Sequence, residues 1–358
     1  MKKYKAAFFG LAHPHAETLY NALKNREDVD CIGYADVSPH DEQPDADREA
    51  NLTSHGCTME RYKNWLDLLD KNPDIAIVAA DNKNKVDICL KTLSMGILTI
   101  IEKPMAINYE DAKKMVDCAK KHNTTLVTNW PIAWFPAFRE AKKLADAGEV
   151  GEIRRVVYRS PATWGPYSYL PGGVLPPEET LKKTWWYQHD LGGGSILDYA
   201  CYGAMITTWV FGKRAERVCA IKKSFDTKFS DVEDYSAMLL DFGSGVGLLE
   251  GSWSSYNPAE IATGPVIYGS DGVIVCDRHS KEIKIYKSRT HPPKAPDKVI
   301  DCNNLYTAKS MGDNIIDFMN GDGELDEMIS MELNLDAMAA LDAGRRAAEN
   351  GNVAETEK

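Results

Sequence analysis

The chain has 358 residues, 44% apolar and 27% charged, an ordinary balance for a folded globular protein and long enough for two domains. Its 53 acidic against 42 basic side chains give a net charge of −11, a surface that repels phosphate backbones and anionic membranes. Nucleic acid and membranes are therefore not expected as partners. The eight cysteines are scattered with no Cys-x-x-Cys pair, the usage of reduced thiols rather than a disulfide framework. The apolar stretch near the start runs only from Ala6 to Leu11, too short for a signal-peptide core, and no run approaches a membrane span. A cytoplasmic location is expected.

Up to residue 128, short apolar runs alternate with helical patterns. Strands are predicted over Lys5–Gly10, Val29–Asp36, Ile75–Ala80, Ile97–Glu102 and Thr125–Thr128. Helices are predicted over His15–Lys24, Lys85–Ser94 (with Gly96 just beyond) and Tyr109–His122, the last capped by Asn108. Such alternation implies βαβ units and a parallel sheet with right-handed crossovers. After a further helix, Phe135–Ala147, the pattern changes. Ile153–Arg159, Arg217–Lys222, Tyr235–Phe242, Gly247–Trp253, Val266–Tyr268, Val273–Cys276 and Ile283–Lys287 read as strands joined by turns, the mark of a mainly antiparallel sheet. Met331–Asn350 is an amphipathic helix ending at Gly351, and the last seven residues are expected to fray. The division falls at residue 129: 1–129 form one domain, and 130–358 form an α+β domain that includes the C-terminal helix.

Gly10-Leu-Ala-His-Pro-His15 follows the first strand and opens the first helix. A dinucleotide turn uses three glycines, for the tight turn, the approach of the pyrophosphate and helix packing. Here only Gly10 is kept, with Ala12 in the second place and His15 in the third. The helix N-terminus still suits a pyrophosphate, which His13 or His15 could contact; both could equally be exposed near a helix start. Asp36, ending the second strand, can accept bonds from both ribose hydroxyls and repels a 2′-phosphate, which favours NAD over NADP. Its other reading is a solvated strand-end carboxylate. His13-x-His15 has no further metal ligand at fitting spacing, so no metal site is expected.

Ile100-Ile-Glu102-Lys103-Pro104 places a lysine at the carboxyl end of a strand, where open α/β sheets bind ligands. Beside a cationic nicotinamide its pKa would be pushed down, fitting it for proton transfer; otherwise it is an exposed strand-end lysine. Gly192-Gly-Gly-Ser-Ile-Leu-Asp198-Tyr-Ala-Cys-Tyr202 lets the backbone approach something closely before a helix begins. Asp198 and Tyr202 are four apart and share a helical face, a carboxylate able to orient a tyrosine hydroxyl. Ser195 with Asp198 also fits a capping box, which would make the pair merely structural. Between Trp164 and Tyr187, six of 24 residues are aromatic, against 9% chain-wide. Trp164 and Trp186 there suit the C–H face of a sugar, with Gln188 bonding its hydroxyls; a loop packed on its own rings, or an oligomer contact, is the other reading.

Glu102-Lys-Pro104 followed by Gly192-Gly-Gly-Ser-Ile-Leu-Asp198-x-x-x-Tyr202 resembles the Gfo/Idh/MocA oxidoreductases, and the resemblance extends over essentially the whole chain. It implies an N-terminal Rossmann domain, a doubly wound parallel sheet, followed by an α+β domain with an open, mainly antiparallel sheet whose outer face builds homodimers or larger homo-oligomers. It also implies a catalytic Lys103 and Asp198, with Tyr202 standing where many members carry His. With the reading of the first turn, NAD contacts are expected from Gly10, Ala12, His13, His15, Asp36, Asn82, Glu102 and Lys103. The family's Pro-Asn-x-x-His appears as Asp81-Asn82-Lys-Asn-Lys85, so only Asn82 carries over. The expected activity is hydride transfer between NAD and a ring hydroxyl or ketone of a sugar, glycoside or polyol. Transient oxidation of a glycoside on a permanently bound NAD, and a ligand-sensing regulator on the same fold, are the alternatives.

Overall fold

The computed structural model describes residues 3–35, 37, 52, 56–162, 165–167, 175–256, 263–277, 281–289, 295–303, 305 and 310–357. Asp36 and Trp164 lie outside the described residues.

The first half is a six-stranded sheet of β1 (Tyr4–Phe9), β2 (Val29–Ala35), β3 (Glu60–Tyr62), β4 (Ile75–Val78), β5 (Leu98–Glu102) and β6 (Leu126–Asn129). Every pairing is parallel and the order is β3-β2-β1-β4-β5-β6. β4, β5 and β6 are buried along their whole length, which explains their continuous apolar runs: helices cover both faces of a parallel sheet. The helices are α1 (His15–Leu23), α2 (Trp65–Leu69), α3 (Lys85–Ser94) and α4 (Tyr109–Lys121). Asn108 caps α4 as predicted, its side chain accepting from the Asp111 amide at 2.8 Å. Strand order reverses between β1 and β4, so a crevice opens at their carboxyl ends. β3 and α2 were not anticipated; they are only three and five residues long.

The second half begins with a short turn, Pro131–Trp134, and α5 (Pro136–Asp146). Then come β7 (Ile153–Pro161), α6 (Glu178–Leu181), a π-helical turn Ile196–Ala200 running into α7 (Cys201–Phe211), β8 (Arg217–Lys223), β9 (Tyr235–Asp241) and β10 (Val246–Ser252). β11 (Val266–Gly269), β12 (Val273–Val275), β13 (Glu282–Tyr286), β14 (Lys298–Asp301), α8 (Met311–Asn320), α9 (Met331–Asn350) and β15 (Ala354–Glu355) follow. The nine strands form one sheet, antiparallel at every pairing except β7 with β10. α7 covers one face of β7 and β10. The chain end is not frayed: Ala354 and Glu355 pair with Val218 and Arg217, and the Thr356 amide donates to Glu216 O at 3.1 Å. The backbone of β8 supplies these bonds, a partner invisible to local composition.

α8 and α9 return to the first sheet. α8 lies against α1, and α9 packs on α4, α7 and β8 together. Asn334 of α9 is 1% exposed and accepts from the Trp130 indole N–H at 2.7 Å while donating to Met328 O and Ser330 O. Replacing Asn334 with Leu strands that buried indole N–H and two carbonyls. It is expected to destabilise the fold by about 1–3 kcal/mol, read from the midpoint of urea unfolding.

Candidate active site

Lys103 leaves the end of β5 and Asp198 sits in the π-helical turn before α7, 95 residues later. Their side chains meet in the crevice between the two sheets. Lys103 Nζ donates to Asp198 Oδ1 at 2.6 Å and to Asp198 O at 2.8 Å, with both side chains buried. The other carboxylate oxygen, Oδ2, accepts from Trp253 Nε1 at 2.9 Å. Burial alone would lower the lysine pKa, but the Asp198 carboxylate, with lesser help from Tyr202 and Cys201, more than offsets it and holds the ammonium well above its ordinary value. The expected downward push is therefore reversed by the chain's own groups.

Tyr202 is half-buried on α7, and Lys103 Nζ stands 4.8 Å from its ring centroid. Burial raises its phenol pKa, opposed by the Lys103 charge. Asp198 spends its carboxylate hydrogen bonds on Lys103 and Trp253, and its charge adds to the upward push on the Tyr202 phenol. The capping-box alternative fails: the Ser195 side chain makes no cap bond. Glu233 does that work, its backbone carbonyl accepting from Ser195 N at 3.0 Å and its carboxylate from Ile196 N at 2.9 Å. The glycine run is required by contact. A Cβ at Gly193 would lie 2.2 Å from Trp186 O, and one at Gly194, where φ is +99°, 2.5 Å from Glu233 Oε1.

A second buried cation ties the same segments. Lys85, fully buried on α3, donates to Asn82 Oδ1 and Glu102 O, both at 2.8 Å, and to Pro104 O. Desolvation pulls its pKa down to about 8. Asn82 passes the link on, donating to Gly192 O at 2.8 Å. Both ends of its amide thus go to the protein. Gln188 is likewise engaged with Lys183 O and Thr184 O, and it does not line the cavity beside Lys103.

That cavity, about 320 Å³, is lined by His13, Pro14, His15 and Thr18 from the α1 end, Lys103, Gly165, Pro166 and Trp186, and Asp198, Tyr199 and Tyr202. Trp186 is buried, stacked on Trp185 at 3.7 Å and 5.3 Å from His13. Trp185 donates to Ala12 O at 3.1 Å, fastening the first turn to the second half. Gly10 keeps the dinucleotide geometry: its φ is +81°, and a Cβ there would lie 2.8 Å from the Ala80 backbone. With α1 starting at His15 and the strand order reversing beside it, these parts fit a dinucleotide. The altered third position brings a new contact. His15 Nδ1 lies 3.1 Å and His13 Nδ1 3.5 Å from Glu102 Oε2, while Asn129 Nδ2 donates to Glu102 Oε1 at 2.6 Å. Trp253, Glu233, Lys85 and Asn129 are the residues sequence reasoning missed.

Residues 9–130 match the model of the oxidoreductase family with an NAD-binding Rossmann fold, and residues 138–275 match the GFO/IDH/MocA C-terminal domain. The chain belongs to the Gfo/Idh/MocA family. NAD is accordingly the dinucleotide its first domain serves. The trans-1,2-dihydrobenzene-1,2-diol dehydrogenase of Xenopus tropicalis is 26% identical over 234 residues, 64% of this chain and 64% of that protein. The inositol 2-dehydrogenase/D-chiro-inositol 3-dehydrogenase of Lactiplantibacillus plantarum is 24% identical over 150 residues, 41% of each. The chain thus matches less than two thirds of these relatives' length. Among solved structures, an oxidoreductase from Thermotoga maritima has a TM-score of 0.77 at 19% identity, covering 98% of this chain and 99% of that one. Levoglucosan dehydrogenase, solved with NADH and levoglucosan, has a TM-score of 0.75 at 16% identity and full coverage of both chains. Both share the fold of this chain. Among the described residues no helix is long and apolar enough to cross a membrane.

Substituting Ala at Gly194 forces a side chain into left-handed backbone and against Glu233. A loss of roughly 1–3 kcal/mol in folding stability is expected, measurable as a lowered thermal midpoint.

Proposed function

We propose that the chain is an NAD-dependent oxidoreductase acting on a ring hydroxyl or ketone of a sugar, glycoside or polyol. The carrying observation is the buried Lys103–Asp198 pair, which opens on the same cavity as Tyr202 and the dinucleotide turn. Bound NAD supplies the hydride acceptor or donor. Gly10 and Ala12 in the turn, with His13 and His15 at the start of α1, are the residues that would hold it, and Asp36 would select it over NADP.

Lys103 presents an ammonium to the cavity, aimed by Asp198, which in turn is fixed by Trp253. A reacting oxygen placed there meets a preorganised donor that steadies developing alkoxide charge, an interaction worth most in a site closed to water. Tyr202, beside the same ammonium, offers the second group through which the hydroxyl proton passes. Trp186 provides a flat apolar wall for a ring's C–H face. The names of the relatives support this substrate class: one is a diol dehydrogenase and another an inositol dehydrogenase.

Replacing Lys103 with Met should lower turnover at least ~10²-fold on whichever alcohol the wild type oxidises, with NAD affinity retained. Unchanged turnover would remove Lys103 from the chemistry. Quantifying the nucleotide released on denaturation comes alongside: near-stoichiometric NAD(H) supports transient oxidation on a resident cofactor, an empty protein supports exchange, and NADP(H) contradicts the role given to Asp36.

A further inference from the structure

We infer that His13, His15 and Glu102 form a binding site for one divalent first-row cation of the zinc or ferrous type, at the foot of the cavity that holds Lys103. The two histidines alone made no metal site in the sequence, because no third ligand stands near them. The fold supplies it: Glu102 ends β5, whose neighbour β4 lies beside β1, bringing a carboxylate 87 residues away onto the imidazoles.

The spacing is that of a coordination shell waiting to contract. Ligand bonds of about 2.1 Å in tetrahedral geometry place ligand atoms about 3.4 Å apart. Here Glu102 Oε2 is 3.1 Å from His15 Nδ1 and 3.5 Å from His13 Nδ1, and one ligand atom from each of the three residues lies within 4.8 Å of the others. His13 and Glu102 are almost fully buried, and His15 is 23% exposed. His13 is anchored by its own amide, which donates to Ala79 O at 3.0 Å, and its ring rests against Trp186. The His15 amide points at His13 Nδ1 from 3.3 Å, a long bond that a cation on that nitrogen would displace. Glu102 Oε1 is held from outside the cluster by Asn129, the kind of bond that orients a carboxylate bound to a metal. Two imidazoles and one carboxylate leave positions free, and since His13 and His15 line the cavity, those positions face whatever it contains. Lys103 adds little repulsion, its charge being matched by Asp198. The inference does not depend on which alcohol the cavity takes, or on hydride transfer at all.

The test is titration of the tag-free, chelator-stripped chain with Zn²⁺ and with Co²⁺, with and without saturating NAD. Expected are one saturable equivalent, visible d–d absorption from bound Co²⁺, and a metal-dependent rise in thermal midpoint in at least one of the two conditions. His15→Ala should weaken binding at least ~100-fold, and Asn129→Ala by about 10–100-fold. Glu102→Gln should abolish it. If the buried Glu102 variant does not fold, His15→Ala decides, since its partly exposed side chain can be removed without opening the core. Absence of saturable binding in both conditions, or binding that His15→Ala leaves unchanged, would overturn the site.

Discussion

Everything in the cavity depends on a lysine and an aspartate being kept out of water in contact with each other. Burying one charge without the other costs several kcal/mol, so the Lys103–Asp198 pair holds only while the two halves of the chain stay in register. The surroundings meet this demand atom by atom. Trp253 takes the second carboxylate oxygen, and the Asp198 carbonyl takes a second proton of the ammonium. The turn carrying Asp198 is then fixed from beneath by Glu233 and by glycines that let it lie against Trp186 and Glu233 without a Cβ between. The ion pair is a specification of geometry more than a source of stability.

Lys85 adds a tie of a different kind. Among the described residues no carboxylate contacts its ammonium, which is solvated by two carbonyls and an amide oxygen. Those carbonyls belong to Glu102 and Pro104, on either side of Lys103, and the amide belongs to Asn82, which reaches Gly192. The peptide carrying the lysine and the turn carrying the aspartate are thus joined twice, once by the ion pair and once through Lys85 and Asn82. The three ammonium protons of Lys85 are matched by three acceptors.

The architecture was readable from the chain because its strongest signals are local. Fully buried parallel strands must be apolar throughout, and Asn108 caps its helix with atoms three residues apart. Part of what escaped was short, such as β3 and α2, or depended on a partner, such as β15 on the edge of β8; α8 escaped too, although Ser310 and Asp313 close a local capping box over its first turn. The site divides the same way. Lys103, Asp198 and Tyr202 announce themselves through strand end, glycine run and helical spacing. Trp253 and Glu233 act across 55 and 37 residues, and no spacing rule reaches that far. Asn82 was recognised, but its amide turns to Lys85 and Gly192. Gln188 turns to its own loop, because a loop that buries its backbone must answer its own carbonyls first.

The loss of the third glycine now has a structural counterpart. A glycine at position 15 would pack the helix closely; a histidine there extends to Glu102, a carboxylate almost completely removed from solvent. Glu102 ends β5 and Lys103 follows it directly, so the two serve separate clusters from a single strand end. Lys103 turns to the carboxylate of the second half, Glu102 to the imidazoles of the first. Each buried charge is answered by a group from a different part of the chain, and the cavity lies where the two answers meet.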